Sequence, residues 1–311
     1  MKELNFEPLF GFSSPHLQTT LASYLPAGKE PPSKTCLIEL KNKDFLSTLL
    51  STPLNWKESD PIVLLVHGMG GCHTSSYMIR MSRKLYQKGY KVVRVNLRGS
   101  GSGKGLSKLP YHAGTSDDIL TILKLLKNES PVSEIHTMGF SLGGNIILKL
   151  AGELGSLANE WVNTFIAVCP PIDLAQTVSL IQASHNRFYH SYFVKHVLKH
   201  SERWNPQNIR TLYEFDEQIT APLWGYHGAS EYYQKCSSLH FLPNITQKTH
   251  LLFAQDDPFI RFNKLNEISL PDNVHVWTTQ KGGHVGFLGN PLKKHGMYWM
   301  DNLLLSWIHS L

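Results

Sequence analysis

Short apolar runs that alternate with amphipathic, glycine-closed helices predict an α/β chain with a mostly parallel central sheet and helices on both faces. Three observations carry that class. Residues 62–66, 164–169 and 250–254 are almost wholly apolar, as strands covered on both faces are. Helical stretches separate the early strands, which is the spacing that parallel crossovers need. The rhythm breaks once, over residues 172–240, where helical, aromatic and basic sequence carries no strand-like run.

The elements follow in order. The first thirty-five residues read as irregular, because Pro15, Pro26, Pro31 and Pro32 interrupt any long helix. Residues 35–52 read as a hairpin that turns between Lys41 and Asp44. The apolar strand at 62–66 leads through a glycine-rich turn into a helix over 75–88, which Gly89 closes. A strand at 92–97 and a second glycine-rich loop precede a helix over 115–127. Thr115 or Ser116 is its expected cap, and Asp117 and Asp118 lie in the first turn, where the helix dipole favours carboxylates. A strand at 135–138 enters Gly139-Phe-Ser-Leu-Gly143, from which a helix runs over 144–154. The strand at 164–169 stops at Pro170 and Pro171. Strands return at 250–254 and 274–278, and a helix over 291–309 closes the chain. These elements predict a single domain, 1–311, with an insertion at about 172–240 forming a helical cap.

Composition narrows the class. Of 311 residues, 41% are hydrophobic and 17% charged, a globular balance. No apolar run reaches membrane-spanning length, and the first residues lack the apolar stretch of a signal peptide. Cys36, Cys72, Cys169 and Cys236 are scattered without a CxxC pair, which favours a reducing compartment, with the cytoplasm as the expectation. The 30 basic residues exceed the 24 acidic ones without any block of five or more, so no nucleic-acid partner is expected.

Gly139-Phe-Ser-Leu-Gly143 matches G-x-S-x-G between a strand and a helix. A serine on so sharp a turn needs neighbours without side chains two residues away, and it meets the N–H groups at the start of the helix. Ser141 is therefore the candidate nucleophile and the fold an α/β-hydrolase fold. An attacked ester carbonyl needs two N–H donors for its developing oxyanion. The Leu142 amide supplies one, and Met69, between glycines in His67-Gly-Met-Gly-Gly71 after the 62–66 strand, supplies the other. His67 stands at no metal-ligand spacing and is read as holding that loop. No metal and no cofactor is expected.

In this fold the acid and then the histidine follow the serine. Asp256 and Asp257 follow the strand ending at 254, and His284 lies between glycines after the strand ending at 278. His284 is the expected base. Spacing alone leaves Asp256 and Asp257 open; Asp257 is favoured because Pro258 restricts its direction. The run Gly99-Ser-Gly-Ser-Gly-Lys-Gly105 fits neither a P-loop nor a dinucleotide fingerprint and reads as a mobile loop at the site's border.

Further motifs resemble the YheT-like branch of the α/β-hydrolase superfamily, related to eukaryotic ABHD-type esterases. They are PHLQT from Pro15, NLRG from Asn96, YHAGTSDDI from Tyr111, MGFSLGGN from Met138, FDEQITAPLWGYHG from Phe215, Tyr232-Tyr233 with Ser237, Asp256-Asp-Pro258 and GGHVGF from Gly282. The resemblance implies a Ser141–Asp257–His284 triad and hydrolysis of carboxylic esters, either short acyl or lipid. The first hairpin departs from the branch: Asn42-Lys-Asp44 stands where an Asp-Gly-type turn is usual. An acyltransferase on the same triad and a non-catalytic binding protein of this fold are the alternatives. Residues 186–204 in the insertion read either as an amphipathic lid that meets a lipid surface or as a cap helix packing Phe188, Tyr192 and Phe193 inward. The inward-packed reading is favoured.

Overall fold

The computed structural model describes residues 1–309. Nine strands form one sheet: β1 (Lys2–Glu3), β2 (Lys34–Glu39), β3 (Phe45–Ser51), β4 (Ile62–Val66), β5 (Lys91–Asn96), β6 (Ile135–Phe140), β7 (Thr164–Val168), β8 (Lys248–Ala254) and β9 (Val274–Thr279). Their spatial order is β1-β9-β8-β7-β6-β4-β5-β3-β2. All neighbours are parallel except β2–β3 and β3–β5, so the hairpin reads as expected and forms an antiparallel edge. The chain runs outward from β4 to β5 and then returns to the far side of β4 as β6. The carboxyl ends of β4 and β6 therefore flank the point where strand order reverses, the usual crevice of an open α/β sheet.

Helices α1 (Pro15–Tyr24), α2 (Ser76–Gln87), α3 (Ser116–Glu129) and α4 (Leu142–Leu154) precede the insertion. Between β7 and β8 run α5 (Leu174–Gln182), α6 (Arg187–Lys199), α7 (Leu212–Phe215), a π-helical turn (Asp216–Thr220), α8 (Ala221–Leu223) and α9 (Ala229–Cys236). Helix α10 (Trp299–His309) ends the described chain. The strands share one core with apolar faces of α2, α3, α4 and α10, whereas the segment between β7 and β8 buries smaller clusters of its own. No helix among the described residues is long and apolar enough to cross a membrane.

Three expectations need correction. The N-terminal stretch is not irregular throughout: Pro15 begins α1, a first-turn position where its missing N–H costs nothing. The closing helix starts at Trp299 rather than 291. Gly296 takes φ +60° and Tyr298 bridges back to Leu288, which holds the preceding residues out of helix. In α6, Phe193 packs inward, but Phe188 and Tyr192 are 75% and 59% exposed, so two of the three aromatics do not pack as favoured.

Candidate active site

Ser141 stands at the end of β6 with φ +51° and ψ −119°, a backbone region in which non-glycine residues are strained. Its own N–H is anchored to the Val168 carbonyl at 2.8 Å. The flanking glycines are required sterically: a Cβ at Gly139 would overlap the Gly143 carbonyl, and one at Gly143 would overlap the carbonyls of Val66 and His67. The elbow is thus wedged between its own helix and the loop after β4.

From Ser141 a continuous chain of hydrogen bonds runs inward. Ser141 Oγ lies 2.8 Å from His284 Nε2, and His284 Nδ1 lies 2.7 Å from Asp257 Oδ2. Asp257 is 1% exposed, and its other oxygen accepts the N–H groups of Phe259 and Ile260 at 2.9 and 3.0 Å. Asp256 faces elsewhere. Its Oδ1 accepts the Gly283 N–H at 2.9 Å, and burial pushes its carboxyl above the usual range. Of the two carboxylates that spacing left open, Asp257 meets the imidazole while Asp256 braces the loop carrying it.

That loop is held from a distant part of the chain. Thr19 Oγ1, on α1, accepts the His284 N–H at 2.8 Å and donates to the Pro15 carbonyl at 2.7 Å. Gln18 is fully buried. It donates to the carbonyls of Phe12 and Leu288 and accepts the Leu288 N–H at 2.6 Å. Helix α1 sits so close that a Cβ at Gly283 would strike the Pro15 carbonyl and one at Gly286 the Gln18 carbonyl. Residue-by-residue reading gave Gln18 and Thr19 no role. The signal for them was PHLQT itself, visible only as a motif without a function.

The loop after β4 shows what Met69 can do. The Gly68 N–H donates to the Tyr77 hydroxyl, the Gly70 N–H to the Tyr111 hydroxyl, both at 3.0 Å, and the Gly71 N–H to the Gly68 carbonyl. Among the described residues no acceptor takes the N–H of Met69, and none takes that of Leu142 at the start of α4. His67 is fully buried, with Nδ1 2.8 Å from the Gly68 carbonyl and Nε2 accepting the Leu97 N–H. Burial lowers its pKa to about 4, so it holds the loop as a neutral imidazole.

Cys169 stands behind the site with φ +46°, fully buried. Its sulfur lies within 4.8 Å of ligand atoms of Asp257 and His284. Burial, and then the charge of Asp257, push its thiol well up, so it remains S–H beside the carboxylate. Both imidazole nitrogens of His284 are already engaged, by Asp257 and by Ser141, which leaves this group no free ring nitrogen for a metal.

A cavity of about 1300 Å³ opens over Ser141. Residues of α1, the glycine-rich loop (Gly99, Lys104, Gly105), α5 and α6 line it, together with Tyr232 and Tyr233 of α9. Its walls are largely apolar.

The alpha/beta hydrolase fold model matches residues 61–204. The Escherichia coli (strain K12) protein YheT is 28% identical across 97% of this chain and 92% of its own. A Danio rerio protein named Monoacylglycerol lipase ABHD2 is 28% identical across 96% of this chain and 76% of its own. In structure, the Pyrococcus furiosus esterase Pf2001 superposes with a TM-score of 0.59 at 17% identity, covering 99% of this chain and 96% of that one. Strand order, the matched family model and the relatives agree: the chain has an α/β-hydrolase fold and is similar, along nearly its whole length, to the YheT-like branch.

Proposed function

We propose that this protein is a serine hydrolase that cleaves carboxylic esters through an acyl-enzyme on Ser141. The observation that carries the reading is the Ser141–His284–Asp257 hydrogen-bond chain on a strained elbow, with the Leu142 and Met69 N–H groups, next in sequence and in the loop after β4, taken by no acceptor among the described residues. Ser141 Oγ attacks the ester carbonyl while His284 Nε2 takes its proton, and Asp257 fixes the ring and stabilises the imidazolium. The Met69 and Leu142 N–H groups receive the oxyanion, each such donor being worth about 10²–10³ in rate. His284 then protonates the departing alkoxide. Water attacks the acyl-enzyme with His284 again as base, the acid leaves, and Ser141 Oγ regains its proton.

Size and lining support an acyl or lipid ester as substrate: the cavity exceeds the roughly 300–1,000 Å³ of ordinary small-ligand pockets. The relative named as a monoacylglycerol lipase supports the same class. Residues between β7 and β8 act as a cap within a single domain over this cavity. The exposed side chains of Phe188 and Tyr192 share the cavity's edge with Leu17 and Tyr24, and Lys195 and Lys199 continue the same exposed stripe of α6. Apolar rings beside cations support peripheral contact with an anionic lipid surface.

Labelling with a fluorophosphonate probe tests the nucleophile. Wild type labels and Ser141→Ala does not; an unlabelled wild type, or an alanine variant that labels equally, refutes the assignment.

A further inference from the structure

Asp216 is the only carboxylate among the described residues that line the cavity with Ser141. The other charged groups that line the cavity are cationic: Arg80, Arg98, Lys104, Lys199 and Arg203. Asp216 begins the π-helical turn Asp216–Thr220, and π-turns recur where a helix is locally reshaped for function. It sits deep among protein atoms yet keeps part of its surface accessible, and that surface faces the cavity. Burial pushes its carboxyl up to about 6, against the pull of its two hydrogen bonds.

Those bonds decide what the site can recognise. The one hydroxyl proton of Thr220 goes to Asp216 Oδ1 and the one hydroxyl proton of Tyr233 to Oδ2, each at 2.7 Å. Neither hydroxyl has a second proton to give, so the ionised cluster offers only acceptor lone pairs. A phosphate, a carboxylate or an ester carbonyl finds no donor there. An ammonium group would share the cavity with Lys104, Lys199 and Arg203, whereas Arg80 and Arg98 are each paired with buried carboxylates. A neutral hydroxyl satisfies the acceptors without that opposition.

We propose that Asp216, held by Thr220 and Tyr233, forms a polar subsite that accepts a hydrogen bond from a free hydroxyl on the ester substrate. This rests on the reading of Ser141 as the nucleophile and deepens it by naming a substrate feature. The hydroxyl can lie on the alcohol half or on the acyl half, and the test separates the two. Its experimental form is kcat/KM of the full chain, wild type and Asp216→Asn, on three esters: the methyl ester of an unbranched fatty acid, the glycerol monoester of that acid, and the methyl ester of the same acid carrying a hydroxyl on its chain. Wild type should favour one hydroxylated ester over the plain one by about tenfold or more, the selectivity expected when a buried acceptor loses its donor. The asparagine variant, which keeps the shape but replaces an acceptor with a donor, should lose that preference. Preference for the glycerol ester assigns the hydroxyl to the alcohol half, and preference for the hydroxyacyl ester assigns it to the acyl half. If neither is favoured, or the preference survives in Asp216→Asn, the subsite is refuted. Should the variant fail to fold, the wild-type ratios alone decide, and ratios within twofold of unity overturn the proposal. Ser141→Ala reports separately: turnover of the plain ester surviving there refutes the nucleophile, whereas selectivity is read between esters of one active enzyme.

Discussion

Replacing Thr19 with valine tests whether α1 positions the histidine. The two side chains are close in shape, so the substitution removes a hydroxyl and little else. Its loss leaves the half-buried His284 N–H without the acceptor that now lies at 2.8 Å, at a cost of about 1–3 kcal/mol. The same loop carries Val285 at φ +55° and Phe287 at φ +45°, conformations that cost about 1–3 kcal/mol each and persist only while the surroundings hold them. With the anchor gone, the cheapest relaxation lowers that strain and draws the imidazole away from its 2.8 Å contact with Ser141. If the lost interaction appears fully in the transition state, kcat falls by roughly 5- to 150-fold.

The assay is kcat and KM on a soluble p-nitrophenyl ester, with the rate of fluorophosphonate labelling and the melting temperature measured in parallel. Both kcat and labelling should fall while KM changes little, and Thr19→Ser, which keeps the hydroxyl, should recover most of the rate. A valine variant within twofold of wild-type kcat would refute the reasoning. So would a serine variant as impaired as valine, because the hydroxyl would then not be the operative group.

Asp257→Asn should lower kcat by about 10⁴, since the orienting carboxylate is lost, whereas Asp256→Asn removes only a brace on Gly283 and should cost far less; equal mild losses would contradict the geometry. His67, His112, His136 and His250 are buried with pKa values lowered by burial to about 4, 3, 4 and 4, so the unfolded chain takes up protons below about pH 6.5 that the folded chain refuses. Their contribution to stability is complete above about pH 6.5 and is lost as pH falls towards 4, at up to about 1.4 kcal/mol per histidine per pH unit. Asp216 and Asp118, whose carboxyls burial raises, pull the other way, but four histidines outweigh them, and a melting temperature no lower at pH 5 than at pH 7 would overturn this balance. The double substitution Phe188→Ser and Tyr192→Ser should weaken sedimentation with phosphatidylglycerol vesicles by about tenfold, and unchanged binding would remove α6 from the proposed lipid contact.

What could be read in advance follows the range of the forces involved. The strands were legible because a parallel sheet covered on both faces demands runs such as Ile62 to Val66, all of them buried. The elbow was legible because its sterics are local, with Gly139 and Gly143 each two residues from Ser141. Helix α1 escaped because Pro15 was weighed as a breaker, when at a helix start the missing N–H would have had no partner anyway. The direction of the α6 side chains escaped for a different reason. Its aromatics lie on both halves of the helix, Phe188 and Tyr192 with Lys195 and Lys199, Phe193 opposite them, and only tertiary packing decides that Phe193 turns inward while Phe188 stays out.

The histidine marks the boundary between the two kinds of information. Glycines around His284 announce a tight loop, but they do not say what the loop is tight against. The bond from its N–H to Thr19 spans 265 positions, and the Gln18 bonds to Leu288 span 270. A glycine spared a Cβ by a neighbour so remote looks, in sequence, like any glycine in a turn. The pairing of PHLQT with GGHVGF is therefore one structural unit written in two places, in which an N-terminal helix supplies the polar groups and the close approach that a strained loop near the C-terminus needs. The Ser141 elbow explains itself within five residues; His284, its proposed base, is positioned from the opposite end of the chain.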